Sequence, residues 1–147
     1  MSENTPYKLD LTALQNSINS FSDSLKILEN SDWLAQQSPA VQNTLTAGVI
    51  QNFEFVYELC IKMLRRRLEL DSDSPAEIDQ LSFRDTLRLA GEKGLIEQVE
   101  KWFEYRSLRN ITSHTYDQGK ARQACIEAAP FLNDAQSLQR ALESRND

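Results

Sequence analysis

His114, the only histidine of the chain, stands five residues after Arg109 and two before Tyr116 in the stretch Arg109-Asn110-Ile111-Thr112-Ser113-His114-Thr115-Tyr116. A neutral imidazole can accept a proton near pH 7, and a guanidinium offers phosphate oxygens a planar, permanently charged fork. On an unbroken helix, however, they would project about 140° apart and could not share a site. A break is required, and Asn110, Thr112, Ser113 and Thr115 all compete for backbone hydrogen bonds, while Thr115 with Gln118 three residues later matches a capping box for the last helix. Arg109 and His114 would then flank a helix-helix turn, where the helix N-terminus and the guanidinium both disfavour imidazolium. With Thr115 as the cap, Tyr116 would take the first helical position beside the cleft. From spacing alone, His114 also reads as a plain helix-end residue with a satisfied ring nitrogen.

The elements that must position these residues are helices. Leu11, Leu14, Ile18, Phe21, Leu25 and Leu28 alternate by threes and fours, drawing one apolar stripe that Asn30, Ser31 and Asp32 interrupt. Ser38 and Pro39 cap and open a second helix carrying Ile50, Phe53, Tyr57, Ile61, Leu64 and Leu68 and reaching Leu70. Phe55, Val56, Leu59, Cys60 and Met63 make its other faces apolar too, which predicts a central helix with several neighbours. Asp71 to Pro75 reads as a loop, Ser82 caps a short third helix ending at Gly94, and a fourth begins near Leu95 with Val99, Trp102 and Phe103 on its face. Ala121 to Leu142 forms the last helix, kinked or broken by Pro130. With four Gly and four Pro in 147 residues, too few turns exist for an all-β chain. The expected architecture is all-α: an up-and-down bundle of four main helices plus a short one, forming a single domain over residues 1–147.

Composition narrows the functions. Sixteen Lys and Arg against 22 Asp and Glu give a formal charge of -6, so any nucleic-acid contact must use a local basic patch. Between Lys101 and Arg122 five cations (Lys101, Arg106, Arg109, Lys120, Arg122) stand against Glu104 and Asp117, and Lys62, Arg65, Arg66 and Arg67 form a second run that fits a solvated helix end slightly better than a binding patch. One histidine and two separated cysteines cannot build the usual zinc frameworks, so neither a metal site nor a cofactor is expected. Glu54 and Glu58 are an i, i+4 carboxylate pair that could bind a metal or act in acid-base work, but is better read as solvated or paired with cations such as Lys62. Trp33 and Trp102 could stack on bases, although burial is the commoner fate, and Cys60 and Cys125 read as small core residues. Neither a secretion signal nor a membrane span is visible, which points to the cytoplasm.

Arg109, four residues, His114, one residue and Tyr116 resemble the signature of the HEPN superfamily, and the run to Asp117 resembles its HepT-like branch, the nucleotidyltransferase substrate-binding proteins. A second block, Asn52-Phe53-Glu54-Phe55-Val56-Tyr57-Glu58-Leu59-Cys60-Ile61-Lys62-Met63-Leu64, resembles that group's Phe-Glu, aromatic, Glu-Leu, Lys and Leu pattern on the second helix. Cys60-Ile61 departs modestly from it. The resemblance covers about Leu9 to Leu142. It implies a four-helix bundle that forms a homodimer and assembles with a minimal nucleotidyltransferase. Two functions are implied. One is a metal-independent ribonuclease toxin that uses Arg109, His114 and Asn110 and is silenced by AMP transfer to Tyr116; the other is a non-catalytic subunit that presents substrate to the nucleotidyltransferase.

Overall fold

Ser38 accepts a hydrogen bond from the Val41 amide (3.2 Å), and Pro39, with no amide hydrogen to lose, occupies the first turn. From there α3 (Pro39–Asp71) runs without interruption through the length of the molecule. The computed structural model describes residues 8–114 and 117–146, in which every regular element is helical. Before α3 come α1 (Thr12–Glu29) and the single-turn α2 (Ser31–Ala35). After it come a second single turn, α4 (Pro75–Asp79), then α5 (Phe83–Glu92), α6 (Val99–Thr112), α7 (Gln118–Ala128) and α8 (Phe131–Arg145). The four expected main helices are α1, α3, α6 and the broken pair α7 and α8, and α3 packs against each of them. No helix among the described residues is long and apolar enough to cross a membrane.

The local signals act as expected at most boundaries. Ser82 caps α5 by accepting from the Asp85 amide (3.1 Å), and Gly94 closes that helix at φ 77°, a conformation that costs other residues a Cβ clash. Gly91 serves closeness instead: a Cβ there would lie 2.6 Å from Val99 Cγ2. Pro130 splits the last helix, although Ala129 and Pro130 keep right-handed helical angles across the break. The fourth main helix starts at Val99, later than the expected Leu95. Leu95 instead donates its amide to the Ala90 carbonyl (2.9 Å), finishing the turn around Gly94, and with Ile96 it is buried as an anchor of the connection.

The centre of the core is an aromatic cluster around Phe131, the first residue of α8. Its ring lies 5.4 Å from Phe53 of α3 and 5.4 Å from Trp102 of α6, both edge-on, and 4.7 Å from Tyr105. Phe21 of α1 and Tyr57 of α3 complete the cluster at 6.4 and 6.1 Å. Cys60 and Cys125 are buried free thiols, as their stripes implied; burial raises both, Cys125 to about 11. Arg67 departs from its reading as part of a solvated run. It is 1% exposed, paired with Asp71 (2.9 Å) and donating to Asn146 Oδ1 (3.3 Å), while Asn146 bonds both backbone groups of Leu9. This ties residues near both chain ends to α3.

Because Phe131 is fully buried and meets rings from three other main helices, Phe131→Ala should lower unfolding stability by about 3–5 kcal/mol. The shift is measured from the urea midpoint, with Phe131→Leu expected to cost less.

Candidate functional site

The stripe of α6 that packs on the core reads Trp102, Tyr105, Arg109 and Thr112, spaced three, four and three residues apart. Its first half is aromatic and enters the Phe131 cluster. Its second half is polar and meets α3 at Glu54 and Glu58, which lie one residue beyond Phe53 and Tyr57, the aromatic contributions of α3. Burial of the rings therefore delivers Arg109 to two carboxylates. Arg109 Nη2 donates to Glu58 Oε1 at 2.7 Å, and Nη1 lies 3.6 Å from Glu54 Oε2. Thr112 donates its hydroxyl to that same Glu54 oxygen at 2.5 Å, with the Arg109 carbonyl as a second acceptor 3.0 Å away.

The carboxylates make the guanidinium harder to deprotonate: the Glu58 hydrogen bond leads, burial opposes it, and the charges of Glu54 and Glu58 add to it. Arg109 Nε is buried without a hydrogen-bond partner, as is the Tyr57 hydroxyl. Burial raises the Tyr57 pKa, against the opposing pull of Arg106 and Arg109. Position also helps, since Arg109 lies in the last turn of α6, where a cation complements the helix dipole.

The required break is present. α6 stops at Thr112, the Ser113 amide bonds the Arg109 carbonyl (3.3 Å), and the His114 amide bonds the Ile111 carbonyl (3.1 Å). His114 and Asn110 are both exposed. The turn thus sets His114 just beyond the helix that carries Arg109, but among the described residues no hydrogen bond joins the two side chains. Tyr116 and Thr115 lie outside the described residues. The cap of α7 is Asp117, whose carboxylate accepts from the Lys120 amide at 2.9 Å, and the helix starts at Gln118. This corrects the expected Thr115/Gln118 capping box: Asp117 places its acceptor three residues before an open amide, and Gln118 becomes the first helical residue.

Beside Arg109, Gln51, Asn52, Glu54, Phe55 and Glu58 line an open cleft of about 450 Å³, into whose rim Phe55 contributes a ring 56% exposed. Three of the five cations expected to make a basic groove have other work. Arg106 stacks on the Phe83 ring (3.9 Å), Arg122 donates to Gln42 (2.8 Å), and Arg109 is held by carboxylates. Trp102 is buried in the core, whereas Trp33 stays 41% exposed. Glu54, Glu58 and Thr112 were the residues that spacing did not assign to the site. Glu54 and Glu58 pair with Arg109 instead of Lys62; the i, i+4 spacing signals a two-carboxylate face but not the cation that it faces.

Residues 9–144 match the family model described as nucleotidyltransferase substrate binding protein like. A Haemophilus influenzae protein named "Probable ribonuclease HepT" is 42% identical over 139 residues, covering 95% of each chain. A solved Haemophilus influenzae structure, described as revealing the fold of a substrate binding domain of a nucleotidyltransferase, superposes with a TM-score of 0.88. It is 40% identical and covers 91% of this chain and 99% of its own.

The corrected cap has a measurable consequence. Asp117→Ala should cost about 1 kcal/mol of unfolding stability, while Gln118→Ala should stay within about 0.5 kcal/mol of wild type. Urea melts of the two variants check this.

Proposed function

The chain belongs to the family of nucleotidyltransferase substrate-binding-like proteins, the HepT-like group, and on that premise we propose that it is a HepT-like toxin, a metal-independent endoribonuclease controlled by a minimal nucleotidyltransferase. The reading is carried by a single observation: the helix bearing Arg109 ends within two residues of an exposed His114, in a close relative of a protein named as a ribonuclease. His114 takes the proton from a ribose 2′-hydroxyl, whose oxygen attacks the adjacent phosphorus as the bond to the 5′-oxygen breaks. Arg109 stabilises the charge gathering on the phosphoryl oxygens, and Asn110 orients the phosphate. The products are a 2′,3′-cyclic phosphate and a 5′-hydroxyl.

One histidine per chain is too few for separate acid and base. A homodimer that sets two copies of the motif around one cleft supplies the second, which protonates the leaving oxygen. The protein acts in the cytoplasm as a single bundle domain, paired with its nucleotidyltransferase as toxin and antitoxin. AMP transferred by that partner to the Tyr116 hydroxyl would bring negative charge and a bulky base to the site, opposing RNA by charge and by occupancy. The second reading, a non-catalytic subunit presenting substrate to the nucleotidyltransferase, is favoured by the description of the solved relative.

The test is cleavage of RNA by the purified protein in EDTA. His114→Ala and Arg109→Ala should each lower kcat/KM by at least about 100-fold, and the products should carry the cyclic phosphate. Cleavage unaffected by both substitutions, or none by wild type, favours the substrate-presenting reading. Cleavage that needs added Mg²⁺ or Mn²⁺ defeats the metal-free mechanism. Sedimentation at micromolar concentration should show a dimer. After incubation with the partner, ATP and Mg²⁺, peptide mass spectrometry should place AMP on Tyr116 and find none in Tyr116→Phe.

A further inference from the structure

The two carboxylates that hold Arg109 are unlike in their surroundings. Glu54 is 23% exposed and cannot leave without also breaking its 2.5 Å bond from Thr112, itself a buried residue. Glu58 is 57% exposed, and its hydrogen bond to Arg109 Nη2 is its only one among the described residues. A phosphate bound by a guanidinium uses two parallel N–H donors on one edge. With Nε buried, that edge has to be sought at the terminal nitrogens, and Glu58 already sits on Nη2. A guanidinium flanked by two carboxylates is, moreover, part of a group with net negative charge, which weakens its pull on an incoming phosphate.

We propose that Glu54, braced by Thr112, is a positioning residue that aims Arg109, and that Glu58 is a gate that the RNA phosphate displaces. The proposal rests on the ribonuclease reading of Arg109. In the free protein Glu58 satisfies the guanidinium and lowers its affinity for phosphates in general. When RNA enters the cleft beside Gln51, Asn52 and Phe55, the phosphate takes the edge of the two terminal nitrogens that Glu58 blocks at Nη2, and Glu58 turns to solvent, where its exposure makes the move inexpensive. Glu54 stays, so the guanidinium keeps its orientation while its partner changes. Retention of one carboxylate and exchange of the other separates aim from occupancy.

The two roles give opposite kinetic signatures. Glu54→Gln and Thr112→Val should each lower kcat about 10- to 100-fold with KM changed less than about threefold, and Thr112→Ser, which keeps the hydroxyl, should restore kcat. Glu58→Gln should lower KM for RNA, the reverse of a kcat loss at constant KM. In a His114→Ala background, which binds without cutting, adding Glu58→Gln should tighten binding of a short single-stranded RNA by about three- to tenfold in fluorescence anisotropy. Circular dichroism and urea melts identify any variant that fails to fold, and Glu58→Ala serves as the second gate variant. Looser RNA binding in both Glu58 variants overturns the gate; wild-type kcat in folded Glu54→Gln and Thr112→Val overturns the positioning role. A wild-type protein that cuts no RNA overturns the ribonuclease reading and takes this proposal with it, an outcome distinct from cutting that is indifferent to Glu54 and Glu58.

Discussion

Phe131 is the contact on which the rest of the arrangement depends. Its ring, on the first residue of α8 directly after Pro130, meets α1, α3 and α6 at once. Edge-on and tilted packing at 4.7 to 6.4 Å fixes how far and at what rotation α6 sits against α3. Rotation of α6 by one residue, about 100°, would remove Trp102 and Tyr105 from the cluster and swing Arg109 and Thr112 away from α3. The polar contacts of the site are thus secured by apolar ones a turn or two away. Ion pairs this exposed contribute little by themselves and could not hold the helices in register.

Once the rings have set the register, the remaining polar groups divide between support and chemistry. Arg67 shows support carried furthest: a buried guanidinium, matched by Asp71 and Asn146, gathers residues near both ends of the chain onto α3. Arg109 is the contrasting case. It is bound by two carboxylates but remains a quarter exposed, at the end of a helix and beside an open cleft. The same residue type is enclosed where both faces are covered and stays open to solvent where one face borders a cleft.

The charge balance follows the same division. A chain with formal charge -6 offers no general attraction to polyanions, and several cations near the turn are spent on an aromatic ring, an amide side chain and two carboxylates. Selectivity for an anion therefore has to come from geometry around few groups, in a cleft whose walls are acidic, amide and aromatic. Of two similar proteins, one is named a probable ribonuclease and the other is described as having the fold of a substrate binding domain, and such a cleft suits either assignment.

Much of the fold was legible in the residues themselves. Ser38 with Pro39, Ser82, Gly94 and Pro130 punctuate the helices where they were expected to, because capping, left-handed closure and a missing amide act within one turn of chain. The alternating stripes marked the core, and two short blocks were enough to suggest the family. The site was only half legible. Arg109 and His114 were candidates by type and spacing, but the partner of Glu58 lies 51 residues away in sequence and that of Glu54, Thr112, lies 58 away. Helical periodicity says which residues share a face, not which face of another helix they will meet. That choice was made by the packing of large rings around Phe131, as were the burial of Arg67 and the anchoring of Leu95 and Ile96 that delays α6 until Val99. The chain determined its helices locally; the tertiary structure decided which charges would become partners, because only burial of the whole core brings those distant positions together.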